Sequence, residues 1–154
     1  MATSNQNLST YNDLPNAGTN RFGIVVSEWN SFITDKLLEG AVQTLKESGA
    51  EDKQILIHYV PGSFELPLAA QKLFEQGIDA VLCLGCVIQG ETPHFDFVCE
   101  ATANGIMQTG LKYNKPCIFG VITTLNNEQA EARAGGKHGN KGIEAAVTAL
   151  KMLK

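Results

Sequence analysis

The stretch Val87-Ile88-Gln89-Gly90-Glu91-Thr92-Pro93-His94-Phe95-Asp96 concentrates groups able to do chemistry. Thr92 suits the residue that caps a helix. Pro93 suits the first helical position, where its missing N–H would have no partner anyway. The N–H groups of Gly90, Glu91 and Thr92 then gather at a helix start, whose positive dipole end attracts phosphate. A well-capped helix without a ligand is the alternative. His94 falls in the first turn of that helix. The dipole disfavours an imidazolium there, so His94 suits a general base near neutral pH. A surface or structural histidine fits the same position. His58 lies inside a strand pattern, and His138 lies in a Gly-rich stretch without an evident partner.

Three other places offer binding groups. Trp29 is the only tryptophan, and a large aromatic ring at a binding edge stacks on flat heterocycles; a core or interface anchor is the competing role. In Pro61-Gly62-Ser63-Phe64-Glu65, Gly62 permits close backbone approach, and Ser63 and Glu65 offer a hydroxyl and a carboxylate to sugar-like hydroxyls. An ordinary strand-to-helix turn, with Ser63 as its cap, reads equally from those residues. Arg133 can clamp a phosphate with its planar fork, or stand as a solvated helix charge.

The elements that must position these groups alternate. Phe22–Val26, Gln54–Val60, Ala80–Ile88 and Cys117–Thr123 are short apolar runs of the buried-strand type. Between them, apolar residues recur at helical spacing: from Ile33 to Leu45, from Leu66 to Phe74, and through a long segment closing at Gly110. Two helical pieces, Glu128–Ala134 and Lys141–Leu153, finish the chain and are joined by the Gly-rich stretch 135–139. Strands alternating with helices predict a four-stranded parallel sheet covered on both faces, with ligands at the carboxyl ends of the strands. The turns 27–30, 61–65, 88–94 and 123–128 all fall on that edge. Residues 1–20 are polar and Asn-rich and read as an arm, partly disordered, ahead of one domain at 21–154.

Composition narrows the partners. The 154 residues, 44% hydrophobic and 18% charged, suit one domain that leans apolar and has surface to bury against copies of itself. The net charge is −4 and the basic residues are dispersed, so nucleic acid is not expected as a partner. No run reaches the ~20 apolar residues of a membrane span, and the opening MATSNQNLST lacks the features of a secretion signal, so the cytoplasm is the expected compartment. Cys83, Cys86, Cys99 and Cys117 are expected as reduced, mostly buried thiols. Cys83 and Cys86 form a C-x-x-C, but no second Cys or His pair follows at metal-ligand spacing.

Three motifs in order carry a resemblance: P-G-S-F-E-L-P at 61–67, V-I-x-G-x-T-x-H-F-D at 87–96, and A-R-A-G-G-K-H-G-N-K-G from Ala132 to Gly142. Over residues 21–153 the chain resembles the lumazine synthase family. That resemblance implies a flavodoxin-like αβα sandwich that condenses 5-amino-6-(D-ribitylamino)uracil with 3,4-dihydroxy-2-butanone 4-phosphate, without metal or cofactor. It implies that Trp29 stacks on the ring, that Ser63, Phe64 and Glu65 hold the ribityl chain, and that Cys86, Val87 and Ile88 read the pyrimidinedione. Glu91 and Thr92 match the phosphate turn, and His94 the proton-transfer residue. Phe119 and Arg133 match positions supplied by an adjacent subunit, and Lys141 a lysine near the phosphate. The family forms pentamers, some packed as a 60-subunit icosahedral shell, and the short Gly-rich loop at 135–140 resembles the shell-forming members. An arm segment near Leu14–Asn20 is then expected to add a strand to a neighbour's sheet. Gln89 stands where the family often has Arg, Trp29 where Phe is common, and Glu91 puts a carboxylate beside the phosphate turn. A receiver-type signalling module would need acidic residues where Ser27-Glu28-Trp29 and Ile88-Gln89 stand. A shell protein without activity would have little use for His94 and Arg133.

Overall fold

A computed structural model describes Asn7 and residues 9–154. Four parallel strands, β1 (Phe22–Ser27), β2 (Ile55–Val60), β3 (Ala80–Ile88) and β4 (Cys117–Thr124), lie in the order β2-β1-β3-β4. Helices α1 (Ser31–Glu47) and α5 (Lys141–Met152) cover one face, and α2 (Leu66–Glu75) and α3 (His94–Tyr113) the other. A short helix α4 (Asn127–Ala132) follows β4.

Strand alternation sorts the core. Phe22, Ile24 and Val26 of β1 join Leu82 and Leu84 of β3 under α1 and α5. Val25, Val81 and Cys83 point to the opposite face, against Leu66, Leu73 and Ile106. Both central strands are buried on two sides, which is why β3 reads as an almost unbroken apolar run. Burying a Leu or Ile side chain of this kind stabilises by roughly 1.5–3 kcal/mol. The same alternation separates the C-x-x-C pair. Cys83 and Cys86 are three positions apart on one strand and enter different clusters, so they cannot share a ligand. The Cys83 Sγ lies 4.0 Å from the Cys117 Sγ instead.

The structure departs from the expected elements in three places. The helix expected to close at Gly110 continues to Tyr113 and stops at Asn114, which takes the left-handed conformation at φ 51° and donates its N–H back to Gly110 and Leu111. The Gly-rich stretch is not a plain loop. Ala134–Gly136 and Gly139–Asn140 pair as a small antiparallel hairpin, turned by Gly135 and Gly139 at positive φ. Residues 14–20, read as the end of the arm, are anchored on their own domain. Ala17 is fully buried and donates its N–H to the Ser48 carbonyl, while the Gln54 side chain ties down the carbonyls of Gly18 and Asn20. The packed body therefore begins before residue 21. Residues 1–6 and 8, where the arm's disordered start was expected, lie outside the described residues.

Helices α1 and α5 meet at Gly142. A methyl group there would run into the backbone carbonyl of Leu37, which cannot step aside as a side chain can. Gly142→Ala is expected to lower stability by about 1–3 kcal/mol, the usual cost of overpacking a core. A denaturant midpoint equal to that of the unaltered chain would show that the helices can separate freely.

Candidate functional site

A pocket of about 540 Å³ lies at the carboxyl ends of β1, β2 and β3. In the order β2-β1-β3-β4, the chain leaves β1 to one side for β2 and returns on the other as β3. Such a reversal opens a crevice between the first strand and the third, and open α/β sheets bind ligands there.

Each wall has a local cause. After β1, the N–H groups of Glu28 and Trp29 donate to the carbonyls of Val60 and Pro61, which zips the Trp29 loop to the end of β2. The Trp29 ring remains 67% exposed and lies over Gly62. A Cβ on Gly62 would sit 2.5 Å from the indole, so only glycine lets the ring lie there. The ring is neither a core anchor nor covered, and its free face borders the pocket.

Ser63–Glu65 form a single tight helical turn leading into α2. One oxygen of the Glu65 carboxylate accepts the N–H of Gly62 at 3.0 Å, closing that turn. Phe64 is exposed at the rim. Ser63 lines the pocket, yet its hydroxyl oxygen is buried and has no partner among the described residues. The hydroxyl is thus turned inward, where the sequence suggested that it faces a sugar-like ligand. Cys86, Val87 and Ile88 supply the floor along β3. Burial pushes the Cys86 thiol up from 9.0 to about 12, so it is a neutral, apolar lining group. A raised folded value means that this contribution to stability is complete below pH 9 and is lost as pH rises towards 12. The fall in melting temperature across that window should be shallower in Cys86→Ala, as thermal melts at a series of pH values would show.

His94 opens α3 and lines the pocket. The helix starts one residue later than expected, with Pro93 just outside it. Thr92 Oγ1 still accepts the His94 N–H, at 3.4 Å. Among the described residues, no hydrogen bond of the fold takes the N–H of Gly90, Glu91 or Thr92. Glu91 and Thr92 do not line the pocket itself; they form the exposed turn that leads to His94.

Three lining residues escaped the sequence reading. Asn30 takes the left-handed conformation at φ 61° and donates its side-chain amide to the Cys86 carbonyl at 2.9 Å, joining the ends of β1 and β3. An Asn directly after the strand-one turn was the available signal, since Asn tolerates that conformation. Phe97 and Val98 stand three and four residues after His94, on the same side of the helix.

Phe119 and Arg133 are not brought to this pocket. Phe119 lies on the edge strand β4 and lines a larger, mostly aliphatic concavity of about 780 Å³ with Lys141 and Glu144. Arg133 pairs with Glu144 at 3.2 Å and donates to the His138 carbonyl at 3.0 Å. Lys141 shares the same carboxylate, also at 3.2 Å. These residues form a second group, away from the first. Among the described residues, no set of three or more His, Cys, Asp or Glu side chains is placed to hold a metal, and no helix is long and apolar enough to cross a membrane.

A parallel αβα sandwich with strand order 2-1-3-4 and an aromatic-walled pocket at its switch point defines the flavodoxin-like class of ligand-binding α/β domains. The comparisons narrow that class. Residues 19–154 match the family model described as 6,7-dimethyl-8-ribityllumazine synthase. The chain is 59% identical to the 6,7-dimethyl-8-ribityllumazine synthase of Cytophaga hutchinsonii, covering 99% of this chain and 98% of that protein. It is 56% identical to the protein of the same name from Phocaeicola vulgatus, over 99% of this chain and 93% of that one. A third, from Parabacteroides distasonis, is 53% identical over 99% and 98%. The chain belongs to the 6,7-dimethyl-8-ribityllumazine synthase family.

Proposed function

We propose that this chain condenses 5-amino-6-(D-ribitylamino)uracil with 3,4-dihydroxy-2-butanone 4-phosphate, giving 6,7-dimethyl-8-ribityllumazine, phosphate and water, the penultimate step of riboflavin biosynthesis. The observation that carries the residue roles is the single pocket that gathers Trp29, Ser63, Phe64, Glu65, Cys86, Val87, Ile88 and His94 from four separate segments. The pyrimidine ring stacks on the exposed face of Trp29. Its polar edge meets the β3 backbone at Cys86–Ile88, and the ribityl chain runs along the turn at Ser63–Glu65. The butanone phosphate sits on the free N–H groups before α3.

The chemistry asks little beyond placement and proton movement. The uracil amine attacks the ketone, and loss of water leaves an imine. Removal of a proton from carbon lets phosphate depart, and a second condensation with loss of water closes the ring. His94, at the pocket wall, is the group that takes and returns the proton. Holding both reactants turns a bimolecular encounter into a unimolecular step.

The site is completed by a second copy, with Phe119 and Arg133 of one subunit facing the pocket of the next, in a pentamer that packs further into a 60-subunit shell. Two features support assembly. Helix α3 spans 20 residues but buries only Thr102, Ile106 and Thr109, leaving Phe97, Met107 and Leu111 at 70%, 55% and 73% exposure. Exposed apolar surface on that scale marks a contact face. The edge strand β2 also exposes Leu56, Ile57 and Tyr59.

Incubating the purified protein with both substrates tests the activity: lumazine absorbance and fluorescence should appear, and none would refute it. Sedimentation should show a particle far larger than five chains. A stable five-chain particle would leave the pentamer and remove the shell, and an active monomer would remove the shared site.

A further inference from the structure

A short stretch of the N-terminal arm is tied to the hairpin that follows Arg133. The Asn140 N–H, at the end of that hairpin, donates to Ser9 Oγ at 2.9 Å. Ser9 Oγ in turn donates to Asn7 Oδ1 at 2.6 Å, and Thr10 Oγ1 donates to the Asn7 carbonyl at 2.9 Å. Just beyond, the Tyr11 hydroxyl donates to Glu47 Oε2 at 2.6 Å, at the last residue of α1. The segment is therefore held at both ends, by the hairpin and by α1. It lies close against the hairpin: a Cβ on Gly139 would overlap Ser9 Oγ and Asn7 Oδ1, which occupy that place instead.

We infer that Ser9 is a positioning residue for Arg133: the arm straps the hairpin to α1 and so fixes the carbonyl on which the guanidinium rests. This rests on the proposed reading of Arg133 as the clamp on the butanone phosphate in a neighbour's pocket. Arg133 Nη1 donates to the His138 carbonyl at 3.0 Å, and that carbonyl precedes by one residue the Gly139–Asn140 peptide whose N–H Ser9 holds. The Lys141 N–H, one residue further on, donates to the Arg133 carbonyl at 2.9 Å. Both ends of the arginine are thus bonded to the short stretch 138–141. That stretch is also gripped from α1, since Asn140 Nδ2 donates to the Lys36 carbonyl at 3.0 Å. The hairpin itself, with glycine at 135, 136 and 139, has little side chain to pack and a backbone that is free to move unless tied down. A guanidinium fork that must meet a phosphate needs a fixed base, and the strap supplies it.

Ser9→Ala in the full chain tests both halves of this. Hydrogen exchange, read by mass spectrometry without substrates, should become about threefold to tenfold faster at the Asn140 amide, the scale of one lost hydrogen bond, and stay unchanged in β1 and β3. The KM for the butanone phosphate should rise by a similar factor. The KM for the ribitylaminouracil, the kcat and the melting temperature should stay close to those of the unaltered enzyme. A Ser9→Ala, Arg133→Ala double variant should be no worse than Arg133→Ala alone, because Ser9 acts only through the arginine. Unchanged exchange at Asn140 would overturn the strap. An unchanged KM for the butanone phosphate, an equal rise for both substrates, or effects that multiply in the double variant would overturn the positioning role. An unaltered protein that forms no lumazine would sink the functional reading, and the exchange rates would still decide whether the arm holds the hairpin.

Discussion

A His94→Ala variant is expected to lose about 10²–10⁴ in kcat for lumazine formation while folding normally. The imidazole lines the pocket at the first residue of α3, and within the described residues it makes no hydrogen bond or ion pair of its own. The His94 backbone N–H, not the ring, is held by Thr92. Truncation therefore removes a proton carrier without leaving a buried group unpaired, and surface changes of this kind cost little stability. Activity should not vanish, because the stacking ring, the floor and the turn still hold both reactants together. Single-turnover rates with both substrates saturating give the clearest reading. A kcat equal to that of the unaltered enzyme would take His94 out of the mechanism.

Arg133→Ala is expected to weaken use of the butanone phosphate by roughly 10- to 100-fold in KM, the scale of a lost charge-assisted hydrogen bond. Binding of the ribitylaminouracil should barely change. Arg133→Lys should restore part of the loss, since a point charge lacks the two-pronged fork. In its own chain Arg133 is bound to Glu144 and to the His138 carbonyl, away from the pocket. The effect therefore depends on a neighbouring subunit, and mixing exposes that dependence. Co-assembled His94→Ala and Arg133→Ala subunits should show more activity than either variant alone. A mixed contact in one of its two orientations pairs an intact His94 pocket with an intact Arg133. Equal loss of affinity for both substrates, or no recovery on mixing, would contradict the shared site.

Much of this was legible residue by residue. The four apolar runs became the four strands to within a residue or two; the turns after the first three carry the pocket, and the turn at 123–128 does not reach it. Trp29, Ser63, Glu65 and His94 could be singled out because an aromatic ring, a hydroxyl, a carboxylate and an imidazole fall in turns along one expected binding edge. The Gly110 stop failed because glycine ends a helix only when the chain turns left-handed beyond it. Asn114 makes that turn, four residues beyond Gly110.

The sequence by itself determined the alternation of strands and helices, the binding edge, and the three motifs that point to the family. Those are properties of local periodicity and of turn chemistry, which act over a few residues. Tertiary structure alone decided which distant residues meet. That β1 lies between β2 and β3 is a matter of sheet order, which no local pattern encodes. From it follow the Asn30 bond to Cys86 and the assignment of Cys83 and Cys86 to opposite faces. Sheet order also puts β4 at an edge, so Phe119 and the neighbouring Arg133–Glu144 pair face outward from the fold's far side instead of into its own pocket.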